Sequence, residues 1–228
     1  MISFRPPAPE WYRRDVLEVA PALLGARLRV RGDAGSVIVR ITEVEAYRGS
    51  DDPGSHAFRG QTPRNAAMFE AGGVLYVYVA YGMHHCVNVV CGPAGTAAAV
   101  LLRAGEVVEG TPLARSRRPA AQREVDLARG PARLAAALAV SRDDDGADIA
   151  AENRVSLLVP AEGSDAEPAQ LRRGPRVGVA GPGGERRFPW RFWLEGEPSV
   201  SSYRAARPGR RRTPSGVGGR STVRGTAD

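Results

Sequence analysis

The sequence predicts an α+β fold, a single domain built on a mainly antiparallel sheet, and three observations lead there. Short stretches rich in β-branched and aromatic residues recur along the chain between glycine and proline turns. Two of them lie close enough together to form a hairpin. Helical periodicity is confined to a few segments. At 228 residues, 43% of them hydrophobic, the chain can enclose one substantial core, and no compositional break calls for a second.

In chain order, the apolar positions Trp11, Val16, Val19, Ala20, Leu23 and Leu24 fall near helical spacing with Pro21 interrupting, which predicts a helix or a pair of short ones over 10–24. Strands follow at 27–31 and 37–47 around a turn at 32–35. Read with period 2, Ile41, Glu43, Glu45 and Tyr47 face one side of the second strand, and Thr42, Val44 and Ala46 face the other. Gly, Asp, Ser and Pro dominate 48–64, an irregular loop, before a short helix at 65–69. Segments 74–79 and 86–90 pair as the hairpin, with Tyr81-Gly82-Met83 at its tip. A strand at 97–103, a helix at 131–140 opened by Pro131, and short strands at 155–159, 176–179 and 190–194 complete the series. The glycine-rich run 178–184 lacks the strand and helix of a phosphate-binding loop and reads as a turn.

Charge and composition exclude several function classes. All 32 residues counted as Lys or Arg are arginine, so neither a P-loop lysine nor a lysine Schiff base is possible. The formal net charge of +7 suits a polyanionic partner. Much of that excess sits in 204–228, where Arg204, Arg207, Arg210, Arg211, Arg212, Arg220 and Arg224 stand among small polar residues; this segment is expected to be a disordered basic tail after a domain spanning 1–203. The proline-rich opening residues lack the apolar core of a signal peptide, and no apolar run approaches a membrane span, so an intracellular protein is expected. Cys86 and Cys91 are expected to be reduced and buried. His85 and Cys86 would alternate to opposite faces of a strand, so no metal site and no cofactor are expected.

Three constellations carry chemistry. Glu43 and Glu45 with Tyr47 place two carboxylates and a phenol on one strand face, as a hydrolase that activates water would require, although alternate glutamates equally suit a solvated face. Tyr47, Tyr78 and His56 offer flat surfaces for a purine, cationic purines above all, although tyrosines at strand positions equally fill a core. Tyr81 and Met83 at a hairpin tip could enter a gap in a base stack, although tips also carry tyrosine for no such reason.

The order and spacing of Ile41-Thr42-Glu43-Val44-Glu45-Ala46-Tyr47, Ser55-His56, Gln61-Thr62-Pro63-Arg64-Asn65, Tyr76-Val77-Tyr78, Tyr81-Gly82-Met83, Asn88, Leu101-Leu102-Arg103 and Gly174-Pro175-Arg176-Val177-Gly178-Val179 closely resemble the alkyladenine (3-methyladenine) DNA glycosylase family. The resemblance runs from about Arg14 to Ser202. It implies a curved sheet with a protruding hairpin that enters the DNA minor groove, and a monofunctional enzyme, working as a monomer, that flips damaged purines out of duplex DNA and hydrolyses their glycosidic bond. On that pattern Glu45 is the general base, and Tyr47, His56 and Tyr78 sandwich the flipped base. Asn88 and Arg103 line the pocket, Asn88 by crowding the 2-amino group of normal guanine. The backbone of Val179 helps hold the attacking water. Tyr81, beside Met83, is the intercalating wedge. The alternative is a non-catalytic binder of damaged nucleic acid, against which the intact Glu45 argues. A carbohydrate hydrolase using Glu43 and Glu45 leaves the hairpin and the basic charge unexplained.

Removal of 204–228 is expected to flatten the salt dependence of DNA binding while leaving the single-turnover rate nearly unchanged, because a solvated arginine tail contributes phosphate contacts only. Binding isotherms at a series of salt concentrations check this.

Overall fold

The computed structural model describes residues 3–161 and 170–206. From residue 207 onward the expected basic tail lies outside the described residues. Among the described residues, nine strands form one open antiparallel sheet. Seven run in the order β1 (Phe4–Arg5), β7 (Val155–Pro160), β2 (Arg27–Gly32), β3 (Gly35–Tyr47), β6 (Ala99–Glu109), β5 (His84–Val90) and β4 (Leu75–Ala80). The remaining two, β8 (Leu171–Gly174) and β9 (Arg191–Leu194), pair with each other, and β9 joins β3.

Helices cover one face of the sheet. The expected helical region near the N-terminus is a pair, α1 (Pro9–Tyr12) and α2 (Val16–Ala22), and Asp15 caps α2 by accepting from the Leu17 N–H. A helix not foreseen from the sequence, α3 (Thr111–Arg117), follows β6, and α4 (Pro131–Leu138) starts at the expected proline. Val16, Val19, Leu23, Leu134 and Leu138 from these helices pack with Leu28, Val39, Val77, Val89, Val100 and Leu102 from the strands in one buried cluster. Alternation then sends Tyr76, Tyr78, Asn88, Leu101 and Arg103 to the other face. No helix among the described residues is long and apolar enough to cross a membrane.

One expectation about β3 is corrected. Strict alternation puts Ile41 beside Glu43, yet Ile41 lies in the main core with Val37, Val39, Val44 and Ala46. The cause is a bulge: the pairing with β6 slips between Ile41 and Val44, so apolar residues point inward at odd positions before it and at even positions after it. The slip coincides with a change of neighbour, since β3 pairs with β2 through residues 35–40 and with β9 through Glu43–Glu45. The irregularity thus leaves Glu43, Glu45 and Tyr47 on the face away from α1–α4.

A second correction concerns 176–179, which is a loop and not a strand; the strand lies earlier, at β8. Gly178 at φ 71° and the enclosure of the Arg176 side chain prevent an extended ladder there. The hairpin of β4 and β5 stands as expected. Its tip has Tyr81 at φ 51° and Gly82 at φ 72°, the signs of a type I′ turn, and the Met83 N–H donates to the Ala80 carbonyl at 3.2 Å.

Opposite the bulge, Gly105 leaves no room for a side chain: a Cβ there would sit 2.3 Å from Val39 Cγ1 and 2.5 Å from the Arg40 carbonyl oxygen. Gly105→Ala is expected to destabilise the fold by about 1–3 kcal/mol, and thermal denaturation should show a Tm lowered by about 2–4 °C per kcal/mol.

Candidate active site

On the face away from α1–α4, β3, β4, β5 and β6 converge with the loops 53–56 and 177–180 around a cavity of about 490 Å³. Glu45, Tyr47, His56, Tyr78, Tyr81, Asn88, Arg103 and Val179, eight of the nine residues singled out from the sequence, line it. Met83 stands outside the lining, largely exposed at the hairpin tip. Tyr81, also at the tip, is 93% exposed.

Glu45 has no exposed surface, and its carboxylate is held from three directions. The Val177 N–H donates to Oε1 at 2.6 Å, the Tyr47 hydroxyl donates to Oε2 at 2.9 Å, and Arg103 Nη1 lies 3.4 Å from Oε1. Burial and the neighbouring Glu45 carboxylate push the Tyr47 phenol far above its ordinary pKa, so it serves as a donor and not as a second anion. These contacts still leave lone pairs on Glu45 for a water in the cavity.

Glu43 belongs to a different environment and does not line the cavity. It accepts from Arg103 Nε at 2.8 Å, Arg191 Nε at 2.7 Å, and the Ser201 N–H and hydroxyl at 2.7 and 3.0 Å. Burial alone would raise its pKa, but Arg103 and Arg191, with the two Ser201 donors, outweigh burial and hold the carboxyl below its ordinary range. The two glutamates on one strand face therefore divide their tasks. Glu43 anchors Arg103, and Arg103 reaches on to Glu45.

Aromatic rings form the opposite side. Tyr78 stacks with Tyr76 at 5.5 Å between centroids, and His56 meets Tyr78 edge to face at 4.6 Å. His56 Nδ1 lies 3.1 Å from the Tyr76 hydroxyl. Partial burial and then Arg64 lower the His56 pKa, so the imidazole is neutral near pH 7. Asn88 is fixed through Nδ2, which donates to the Tyr76 carbonyl at 2.9 Å. These rings, Tyr47 and the Glu45 carboxylate all line the same cavity.

Sequence reasoning missed four contributors. Tyr76 orients His56, Cys86 and Pro131 line the cavity, and the Val177 N–H reaches Glu45. Arg176 and Asp52 form a buried pair behind the site. Tyr76 and Cys86 carried a usable signal, because strand alternation places them on the same faces as Tyr78 and Asn88. The same loop is tied to the chain after β9, since the Gly178 N–H donates to the Arg204 carbonyl at 2.9 Å.

A family model described as Methylpurine-DNA glycosylase (MPG) matches residues 10–198. A Streptomyces avermitilis protein named "Putative 3-methyladenine DNA glycosylase" is 54% identical, over 90% of this chain and 94% of its own. Proteins of the same name from Leifsonia xyli and Burkholderia lata are 53% and 43% identical, covering 89% and 86% of this chain and 95% of each relative. With the match extending over most of its length, the chain belongs to the methylpurine-DNA glycosylase family.

Proposed function

We propose that this chain is a monofunctional DNA glycosylase. It takes a damaged purine (3-methyladenine, 7-methylguanine, hypoxanthine or ethenoadenine) from duplex DNA into the cavity and hydrolyses the N-glycosidic bond with a water activated by Glu45. The observation that carries this reading is the Glu45 carboxylate, buried, held by three donors and lining an aromatic-walled cavity of about 490 Å³. A protein that only bound DNA would gain nothing from an anion at that depth, since it would repel phosphate and sugar oxygens.

The roles follow from position. Tyr47, His56 and Tyr78 hold the base by stacking, which favours a cationic alkylpurine through ring quadrupoles. Asn88, in the cavity wall, disfavours normal guanine by crowding its 2-amino group, and Arg103 steadies Glu45 while lining the pocket. The backbone of Val179, in the cavity wall, helps hold the attacking water. Tyr81, with Met83 beside it, occupies the space vacated by the flipped nucleotide as the hairpin enters the minor groove. Glu45 accepts the proton of the attacking water as C1′ of the deoxyribose develops cationic character. Because the chain contains no lysine, no lysine amine captures the product, and the abasic strand is left intact. The enzyme acts as a monomer on duplex DNA in the cytoplasm.

Single-turnover reactions with duplexes carrying ethenoadenine, hypoxanthine or methylated purines should release base without nicking the strand. Glu45→Gln should slow release by about 10²–10⁴-fold. Binding without release by the wild-type protein would replace the enzyme with a damage-binding module.

A charge argument gives the pH dependence. A cationic base is best held by a neutral imidazole, and the lowered pKa of His56 keeps it neutral until the pH falls below the ordinary histidine value. Glu45→Gln protein is therefore expected to lose affinity for duplexes with a cationic alkylpurine only below about pH 6.5, with no matching loss for neutral ethenoadenine. Equal losses for both lesions would remove His56 from the explanation.

A further inference from the structure

Arg176 heads the large side chains that are fully buried, and the reaction just described makes no use of it. Its guanidinium joins three separate segments. Nη1 donates to the Ala46 carbonyl at 2.9 Å and to Asp52 Oδ2 at 2.5 Å, while Nη2 donates to Asp52 Oδ1 at 2.6 Å and to the Gly183 carbonyl at 2.7 Å. The rings of Tyr47 and Trp190 lie 4.6 and 5.3 Å from its central carbon, and its Nε has no hydrogen-bond partner. Asp52 is as fully enclosed as Arg176, and its Oδ1 also accepts from the Gly54 N–H at 2.8 Å.

Packing alone does not account for such a pair. Two charges withdrawn from water contribute little net stability, and apolar side chains of similar volume would fill the same space at lower cost. What they could not supply is direction. Arg176 grips the carbonyl of Ala46, the residue after Glu45, and the residue after Arg176 is Val177, whose N–H lies 2.6 Å from Glu45 Oε1. Residues 45–46 and 176–177 are thereby locked face to face by one guanidinium–carbonyl bond and one amide–carboxylate bond. The bidentate Asp52 contact prevents the guanidinium from rotating out of that geometry. Glycines allow the loops to close on it: a Cβ on Gly54 would sit 2.6 Å from Arg176 Nη2, and one on Gly183 would sit 2.4 Å from the Gly54 nitrogen.

We infer that Asp52 and Arg176 are positioning residues for Glu45: they aim its carboxylate and the water it activates, and they act on the rate of bond cleavage rather than on capture of the base. This rests on the glycosylase reading above. A carboxylate displaced by a fraction of an ångström loses its alignment with C1′, while the aromatic walls that hold the base remain in place.

The test is single-turnover base release from an ethenoadenine duplex, recording both the limiting rate constant and the half-saturating protein concentration. It compares wild type, Asp52→Asn, and the double variant Asp52→Leu/Arg176→Met, with Tm measured for each. The limiting rate should fall by about 10- to 100-fold in both variants. The half-saturating concentration should stay within about threefold of wild type. The double variant separates aim from packing, because an apolar pair restores the packing and the Tm but not the hydrogen bonds. A folded double variant with the wild-type rate overturns the inference, as does a parallel loss of rate and affinity, or failure of both variants to fold, which would make the pair a folding element. Absence of release by the wild-type protein would instead defeat the glycosylase reading itself.

Discussion

Two carboxylates without exposed surface on one strand, Glu43 and Glu45, are the constraint to which the rest of the site responds. Neither can remain ionised in a buried setting without compensating donors. Glu43 meets that need with Arg103, Arg191 and Ser201, which tie β6, β9 and the chain after β9 to a single point on β3. Glu45 meets it with a phenol, a backbone amide and the far end of Arg103. The two are satisfied unequally. Glu43 is saturated and structural, whereas Glu45 keeps free acceptor capacity toward the cavity.

The bulge in β3 makes this division possible. A regular strand of thirteen residues would keep one parity facing the core throughout its length. The slip after Ile41 changes that parity where β2 gives way to β9 as neighbour, so one continuous strand first contributes to the core and then carries the site. The same feature shows how far the sequence could be read. Alternation within 43–47 placed Glu43, Glu45 and Tyr47 together, and the strand, turn and helix signals located the hairpin, the first strands and α4. The bulge left no mark in the residues themselves, because Ile41, Thr42 and Glu43 are each compatible with a regular strand.

Eight of the nine residues proposed from the sequence line one cavity, and the reason is physical as well as familial. Glu45, Tyr47, Tyr78, Asn88 and Arg103 sit at matching parity on strands that neighbour one another in the order β3-β6-β5-β4, so their side chains meet on one face. Long-range contacts were not legible in that way. Asp52 and Arg176 lie 124 positions apart in two irregular loops, where no periodicity predicts a partner. The segment 176–179 misled for a related reason. Its valines suggest a strand, but tertiary contacts through Arg176 and the left-handed Gly178 decide its shape.

The hairpin tip has a consequence for the molecule's own stability. Tyr81 holds a left-handed backbone that costs a residue with a Cβ about 1–2 kcal/mol, a cost that glycine would not incur. Its ring, 93% exposed, recovers almost none of this by burial. The folded protein on its own would therefore be better served by glycine at this position. On the glycosylase reading proposed above, Tyr81 is a side chain whose favourable contacts lie outside the protein that carries it, kept at the expense of the fold.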